Sequence, residues 1–207
     1  MINIGNRAVI TTREDFDNDG VGVYIHWNGG RDSVEPFLKY CEMKGYRAPD
    51  EDCYGYARLV QVIANFFGGA LSIGVDRVSR LDCNGDNGVY IIEGWKIVDR
   101  ENFDCEEQTG HDFNEMLQAV DEAQPAKEQL GGYLRAKVVN RKDIKIGDKV
   151  YIRNWNGDVK EVEVKGRGAN RIVNGTNVKG MPFAHIVSTA RDNINNYIRD
   201  EQIRKAV

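Results

Sequence analysis

Asparagine–glycine and glycine–glycine pairs cut this chain into pieces, and that punctuation restricts it to short elements joined by tight turns. The pairs fall at Asn28-Gly29-Gly30, Gly68-Gly69, Asn84-Gly85, Asn87-Gly88, Gly131-Gly132, Asn156-Gly157 and Asn174-Gly175. Glycine and asparagine tolerate the backbone angles such turns need, so each pair marks the end of a strand or helix. Of 207 residues, 22 are glycine and four are proline, a balance that favours strands linked by turns. The length is enough to bury a real core, as one large domain or two small ones.

Hydrophobic spacing assigns the pieces. Arg7 to Thr12 and Gly20 to Trp27 read as strands, with Val21, Val23 and Ile25 alternating against Gly22 and Tyr24. Asp15 to Gly20 between them reads as a turn-rich connection. Val34, Phe37, Leu38 and Cys41 share one helical face, in a helix capped by Asp32 or Ser33 and stopped by Gly45. Tyr56, Leu59, Val60, Ile63, Phe66 and Phe67 predict a second helix, ended by Gly68-Gly69. Leu71 to Val75 and Val89 to Val98, the latter turning at Glu93-Gly94, return to strand. Two helices on a small antiparallel sheet is the simplest packing, an α+β domain over residues 1–100.

Asp112 to Gln124 predicts a further helix, with Phe113, Met116, Leu117 and Val120 on one face and Pro125 at its end. It is either docked on the first domain or part of an acidic helical connector over 101–132, with Gly131-Gly132 as hinge. Residues 133–207 read as a small basic barrel. Ile144 to Arg153, Val159 to Lys165, Arg171 to Val173, Thr176 to Val178 and Phe183 to Val187 are short strands at regular spacing, and curling such a sheet removes its edges. Asp192 to Lys205 predicts a terminal helix with Ile194, Tyr197 and Ile198 inward.

The net charge of −4 hides a strong division. Residues 1–97 hold 10 basic and 14 acidic side chains, residues 98–130 hold 2 and 10, and residues 131–207 hold 16 and 8. An acidic centre therefore precedes a basic tail. No apolar run reaches membrane-spanning length and no signal-peptide pattern opens the chain, so a cytoplasmic protein without a membrane partner is expected. Cys41, Cys53, Cys83 and Cys105 form no Cys-x-x-Cys pair, and His26, His111 and His185 lie far apart, so neither metal nor cofactor is expected.

Three groups of residues carry candidate chemistry. His26, Trp27, Asn28, Gly29, Gly30 and Arg31 end a strand before a helix N-terminus, where backbone N–H groups suit a phosphate or carboxylate. Arg31 would add a planar contact there, and Trp27 or Tyr54 a stacking face. Arg153, Lys160, Lys165, Arg167, Arg171 and Lys179, with Trp155 on a turn, combine cations with a stacking ring and suit a nucleic-acid backbone. Asp99, Glu101, Asp104, Glu106, Glu107, Asp112 and Glu115 form an acidic surface able to imitate a row of phosphates. Two lesser clusters are Asp50-Glu51-Asp52, which fits a helix start, and Asp82 to Asn87, which approaches a calcium-loop spacing but has Asn87 where glycine is needed. No nucleophile-elbow, zinc-protease or dinucleotide motif occurs, so a non-enzymatic protein is expected.

Two stretches resemble known families. Ile144-Lys145-Ile146-Gly147-Asp148-Lys149-Val150-Tyr151, followed by a glycine turn and Val162-Glu163-Val164, resembles the opening of SH3-like, KOW-type barrels. His26-Trp27-Asn28-Gly29-Gly30-Arg31-Asp32-Ser33-Val34-Glu35 resembles a family of phage and mobile-element proteins of Gram-positive bacteria to which no function is attached. That resemblance implies a setting in which small accessory proteins oppose host defence. The expectation is an anti-CRISPR-like inhibitor that binds a host defence effector, or its nucleic acid, and occludes the nucleic-acid channel. The alternatives are a sponge for a nucleotide signal at the glycine turn, and an accessory protein that binds nucleic acid through the tail.

Overall fold

The computed structural model describes residues 5–83, 85–103, 105–107, 109–139, 143–145, 147–154, 157–173, 176–186 and 203–205, the side chains of 165–173 and 176–186 excepted. The chain divides into two compact units, Met1–Ala126 and Lys127–Val207. Architecture is mixed α+β, with a five-stranded sheet in each unit.

In the first unit, β1 (Ala8–Thr12), β2 (Val21–Ile25), β3 (Ile73–Arg77), β4 (Val89–Glu93) and β5 (Lys96–Glu101) line up in the order β3-β2-β1-β4-β5. The sheet is not wholly antiparallel, as the alternation had implied. β1 and β4 run parallel, from Val9 beside Val89 to Thr12 beside Ile92. Their sequences explain it. Ala8-Val9-Ile10 and Val89-Tyr90-Ile91-Ile92 are apolar without alternation and buried throughout. Strands covered on both faces occupy the centre, and a parallel pair needs a long crossover. The two long helices, α2 (Arg31–Lys44) and α3 (Tyr54–Phe67), lie within that crossover.

One face of the sheet packs Val9, Val89 and Ile91 against Cys83, with Phe16, Tyr24 and Leu81 closing the edge. By the register, Ile10, Ile25, Tyr90 and Ile92 occupy the opposite face. Phe37, Leu38, Tyr40 and Cys41 of α2 and Leu59 and Ile63 of α3 are fully buried, and Phe37, Leu38, Leu59 and Ile63 each contribute about 1.5–3 kcal/mol. Both helices stop where glycine supplies a left-handed residue, Gly45 (φ 72°) and Gly68 (φ 68°).

Three local expectations change. The Asp15 to Gly20 connection begins as a short helix, α1 (Arg13–Asp17), because Thr12 caps it by accepting from the Asp15 amide. α2 starts at Arg31 with Gly30 as its cap, ahead of Asp32 and Ser33. The Asp112 helix, α4 (Phe113–Glu122), packs against α2 and α3 and buries Met116, Leu117 and Val120.

The second unit contains α5 (Gly132–Arg135), β6 (Lys137–Val138), β7 (Lys149–Arg153), β8 (Val159–Val173), β9 (Thr176–Ile186) and β10 (Ile203–Lys205). Strand order is β6-β10-β7-β8-β9, and no closed barrel is found among the described residues. Instead of short separate strands, β8 and β9 form one long hairpin whose register shifts at two points between Val164 and Asn170. The glycines at 166 and 168 therefore act as irregularities within a strand rather than as ends, a common role for strand glycine. Ile203–Lys205 is a strand between β6 and β7, not the last turn of a helix; the rest of the predicted terminal helix lies outside the described residues. Ile144, Val150, Ile152, Val162, Val164 and Ile203 form this unit's core.

Candidate functional site

Where β1 and β4 begin, a polar network gathers at the end of the sheet. β2 runs out at Ile25, and the chain must turn sharply to enter α2. Asn28 takes a positive φ of 56°, a conformation asparagine tolerates better than most residues. Gly29 follows, its N–H donating to the Asn6 carbonyl at 2.8 Å and its carbonyl accepting from the Tyr90 hydroxyl at 3.0 Å. A Cβ on Gly29 would lie 2.6 Å from the Asn6 carbonyl oxygen and 2.8 Å from the Ala8 nitrogen. This glycine is thus required by close backbone approach.

The rings next to the turn are ordered in sequence. The Tyr24 hydroxyl and His26 Nδ1 share a hydrogen bond of 2.8 Å, and the His26 ring meets Trp27 edge-on with centroids 4.7 Å apart. Trp27 remains 46% exposed, a fixed aromatic face open to solvent. Tyr54 does not join it. Gly29 is tied to Asn6, whereas the Tyr56 hydroxyl accepts from the Thr12 amide at the other end of β1. Six residues of extended chain separate those points, about 20 Å, so Trp27 and Tyr54 cannot hold one base together.

The polar groups of the turn are largely engaged within the protein. Arg31 pairs with Glu35 at 2.7 Å, a contact that raises its already high pKa. Asp32 accepts from the backbone N–H groups of Gly110 and His111 at 2.6 and 2.8 Å, anchoring the acidic segment over the start of α2. Asn28 Nδ2 bonds His111 Nε2 at 3.2 Å across the same junction. A carboxylate therefore stands beside the helix N-terminus that the sequence offered to an anion.

Arg100 organises the rest, although no sequence motif marks it. Its guanidinium lies 3.4 Å from the Phe103 ring centroid and 4.6 Å from that of Tyr90. Nε donates to the Asn87 carbonyl at 2.6 Å, and Nη1 pairs with Glu107 at 2.5 Å. Burial pushes the Tyr90 hydroxyl pKa upward, so it stays a neutral donor to Gly29. The signal available in sequence was an arginine alone among acids with an aromatic three residues on.

The acidic surface is partly occupied by internal work. Arg13 holds both Asp99 and Glu101, and the Arg100 amide and then Arg13 keep the Asp99 carboxyl below its usual range. Asp112 caps α4 by accepting from the Asn114 and Glu115 amides. Glu106, Glu107 and Glu115 face solvent; Asp104 lies outside the described residues. Asp50, Glu51 and Asp52 are used locally, accepting from the Gly94, Ala48 and Tyr54 amides. Asp86 of the calcium-like stretch is committed to Arg7 at 2.7 Å. Among the described residues no group of three metal-ligating side chains assembles.

The basic group is not one face. Ile152 pairs with Lys160 and Arg153 with Val159, so Arg153 and Lys160 point to opposite sides of the sheet. Glu161 and Glu163 interleave with Lys149 on the outer side, and Lys149 pairs with Glu161 at 3.6 Å. Trp155 and the side chains of Lys165, Arg167, Arg171 and Lys179 lie outside the described residues. None of the four cysteines forms a disulfide; Cys41 and Cys83 are buried, Cys53 and Cys105 exposed. No described helix is long and apolar enough to cross a membrane. No protein-family model, curated protein or solved structure matches the chain, so its function is argued from this chemistry.

Proposed function

We propose that the protein is a non-enzymatic inhibitor of a nucleic-acid-targeting defence effector, anti-CRISPR-like in kind, acting in the host cytoplasm on behalf of a phage or mobile element. The observation that carries this reading is the charge of two separately compact units. Residues 1–126 hold 11 basic and 23 acidic side chains, and residues 127–207 hold 17 and 9. The acidic unit suits a basic nucleic-acid channel, with Glu106 and Glu115 exposed on a segment that Asp32 and the Arg100–Glu107 pair anchor. Electrostatic complementarity of that kind speeds association and selects the partner. The phage resemblance of the His26 to Glu35 segment supports the setting.

Within the second unit, the sharing of one core by β7, β8 and β10 supports an SH3-like reading of the Ile144 to Val164 region. Its positive balance favours direct nucleic-acid binding as the second function. A nucleotide sponge at the glycine turn has less support, since Arg31 and Asp32 are both engaged.

The test is a phage-plating assay in cells carrying a panel of nucleic-acid-targeting systems. The wild-type protein is expected to restore plating against one system at least tenfold, and the double change of Glu106 and Glu115 to lysine to abolish the effect. Absence of relief against every system would overturn the proposal. Binding of the purified protein to free DNA or RNA, falling steeply with salt, would favour the second reading instead.

A further inference from the structure

The two edges of the first sheet differ in how they are closed to other strands. β5, at one edge, carries an extra residue, Val98, between the partners of Ile91 and Ile92, followed by the charged Asp99, Arg100 and Glu101. A bulge and charges of that kind keep an edge from pairing with another chain. β3, at the other edge, pairs with β2 alone among the described residues, and its register runs unbroken from Arg77 beside Val21 to Ile73 beside Ile25. It has no proline, lysine or bulge, and Ile73, Gly74 and Val75 are uncharged.

The hydrogen bonds at its two ends show which groups face outward. The His26 amide donates to the Ser72 carbonyl, and the Val78 amide to the Gly20 carbonyl. In an antiparallel pair such bonds fall on every second residue, so the even-numbered residues of β3 are the ones bonded to β2. The backbone groups of Ile73, Val75 and Arg77 therefore point to the open side. The Ile73 amide turns back to the Ala70 carbonyl, and the Arg77 amide donates to the Asp76 carboxylate. Val75 presents both its N–H and its C=O to that side, and its side chain is 54% exposed.

Charge decides what can approach. Residues 54–75, which make up α3 and the entry to β3, hold one charged side chain, Arg58, in a chain that is 29% charged. Tyr54, Ala57, Gln61, Leu71 and Val75 are nevertheless exposed there. All 23 acids of the first unit lie outside this stretch. A second copy of so acidic a unit can approach here without bringing carboxylates together, whereas a basic segment finds none in the stretch to hold it. Depletion of charge is also what marks the centre of protein interfaces.

We propose that β3 pairs antiparallel with β3 of a second copy, about a two-fold axis at Val75, so that the two sheets continue into one. Val75 then lies opposite its own counterpart and exchanges both backbone bonds with it, while Ile73 lies opposite Arg77 and Gly74 opposite Asp76. Two-fold symmetry gives every copy the matching edge. The Asp76 carboxylates pass one diagonal apart, each with Arg80 already at 3.2 Å, so no uncompensated like charges meet. This dimer goes beyond the proposed function and does not rest on it.

Sedimentation equilibrium of the full-length protein, loaded from about 1 μM to about 500 μM to cover weak association, is expected to show monomer giving way to dimer. Exchange of the Val75 amide should slow at least tenfold over the same range. Val75→Arg and Val75→Glu each set two like charges directly opposite one another across the axis, and each should weaken the dimer at least tenfold with the melting temperature retained. An equimolar mixture of the two variants sets arginine opposite glutamate and should restore it. Val98→Arg, on the β5 edge, should leave it unchanged. Should the Val75 variants fail to fold, the concentration dependence of Val75 exchange in the parent decides. A parent that stays monomeric, a dimer that survives both Val75 variants, a mixture that stays monomeric, or a dimer lost in Val98→Arg would overturn the pairing.

Discussion

Replacing Gly29 with alanine puts a methyl group 2.6 Å from the Asn6 carbonyl oxygen, 2.7 Å from the Arg7 carbonyl carbon and 2.8 Å from the Ala8 nitrogen. All three are backbone atoms entering the central strand, so no side-chain rotation relieves the contact. Moving the turn outward stretches the bond from Gly29 N–H to Asn6 and that from the Tyr90 hydroxyl to Gly29. Overpacking costs about 1–3 kcal/mol and each weakened hydrogen bond about 1 kcal/mol. The entropy alanine removes from the unfolded chain returns about 0.4–1 kcal/mol. A net loss of about 3 kcal/mol follows from these magnitudes. With an unfolding entropy of about 2.1 cal/mol/K per residue over the first unit, that is a fall of about 10 °C in its melting temperature.

Gly94→Ala is the control, because Gly94 has φ 58° and open space around its missing Cβ. Only the left-handed penalty applies there, about 1–2 kcal/mol. Calorimetry of both variants and the parent decides the matter. Arg31→Ala, which removes a half-exposed ion pair with Glu35, should cost under about 1 kcal/mol. If Gly29→Ala melts no lower than Gly94→Ala, the close approach is not what fixes this turn, and a ligand-binding role for the glycine pair regains its footing.

Two further outcomes are expected. Arg100→Lys keeps the charge but loses the planar group lying over Phe103 and the paired donors to Asn87 and Glu107; amide exchange at 102, 103 and 105–107 should quicken at least tenfold, and unchanged exchange would show that charge alone suffices. Burial raises the Tyr56 pKa to about 12 against an ordinary 10, so the native state disfavours its ionised form: stability from this group is complete below pH 10 and declines between pH 10 and 12, and titration melts should show a steeper decline over that range in the parent than in Tyr56→Phe, where Tyr90 still contributes.

The legible parts of this fold were those fixed by local chemistry. Gly45 and Gly68 end their helices because a left-handed residue is needed there, and the α2 stripe of Val34, Phe37, Leu38 and Cys41 is buried as its spacing required. Parallel pairing of β1 with β4 was hidden, since period-two alternation carries no direction and neighbours across a long crossover leave no local trace. The β8–β9 hairpin reads in sequence as four short strands because a glycine within a strand and a glycine ending one look alike without the register. The candidate site divided in the same way. Trp27 is exposed as its place in the turn implied, but the commitment of Asp32 to Gly110 and His111, and of Arg100 to Glu107, spans separations that sequence spacing does not encode.

Those long-range commitments bear on why so acidic a unit holds together. Carboxylates crowded on one segment repel, and over a few ångströms that repulsion opposes a compact state. In this unit the acids nearest the sheet are matched: Asp99 and Glu101 share Arg13, Glu107 is joined to Arg100, and Asp32 and Asp112 accept from backbone amides. Glu106 and Glu115 stay in water, where screening within about 8 Å at physiological salt limits the cost. Their exposure does nothing for folding that neutral side chains would not do as well. Under the proposed function, Glu106 and Glu115 are the charges left to meet a partner, on a segment that Asp32 and the Arg100–Glu107 pair already hold in place, so that the partner meets carboxylates it does not have to order.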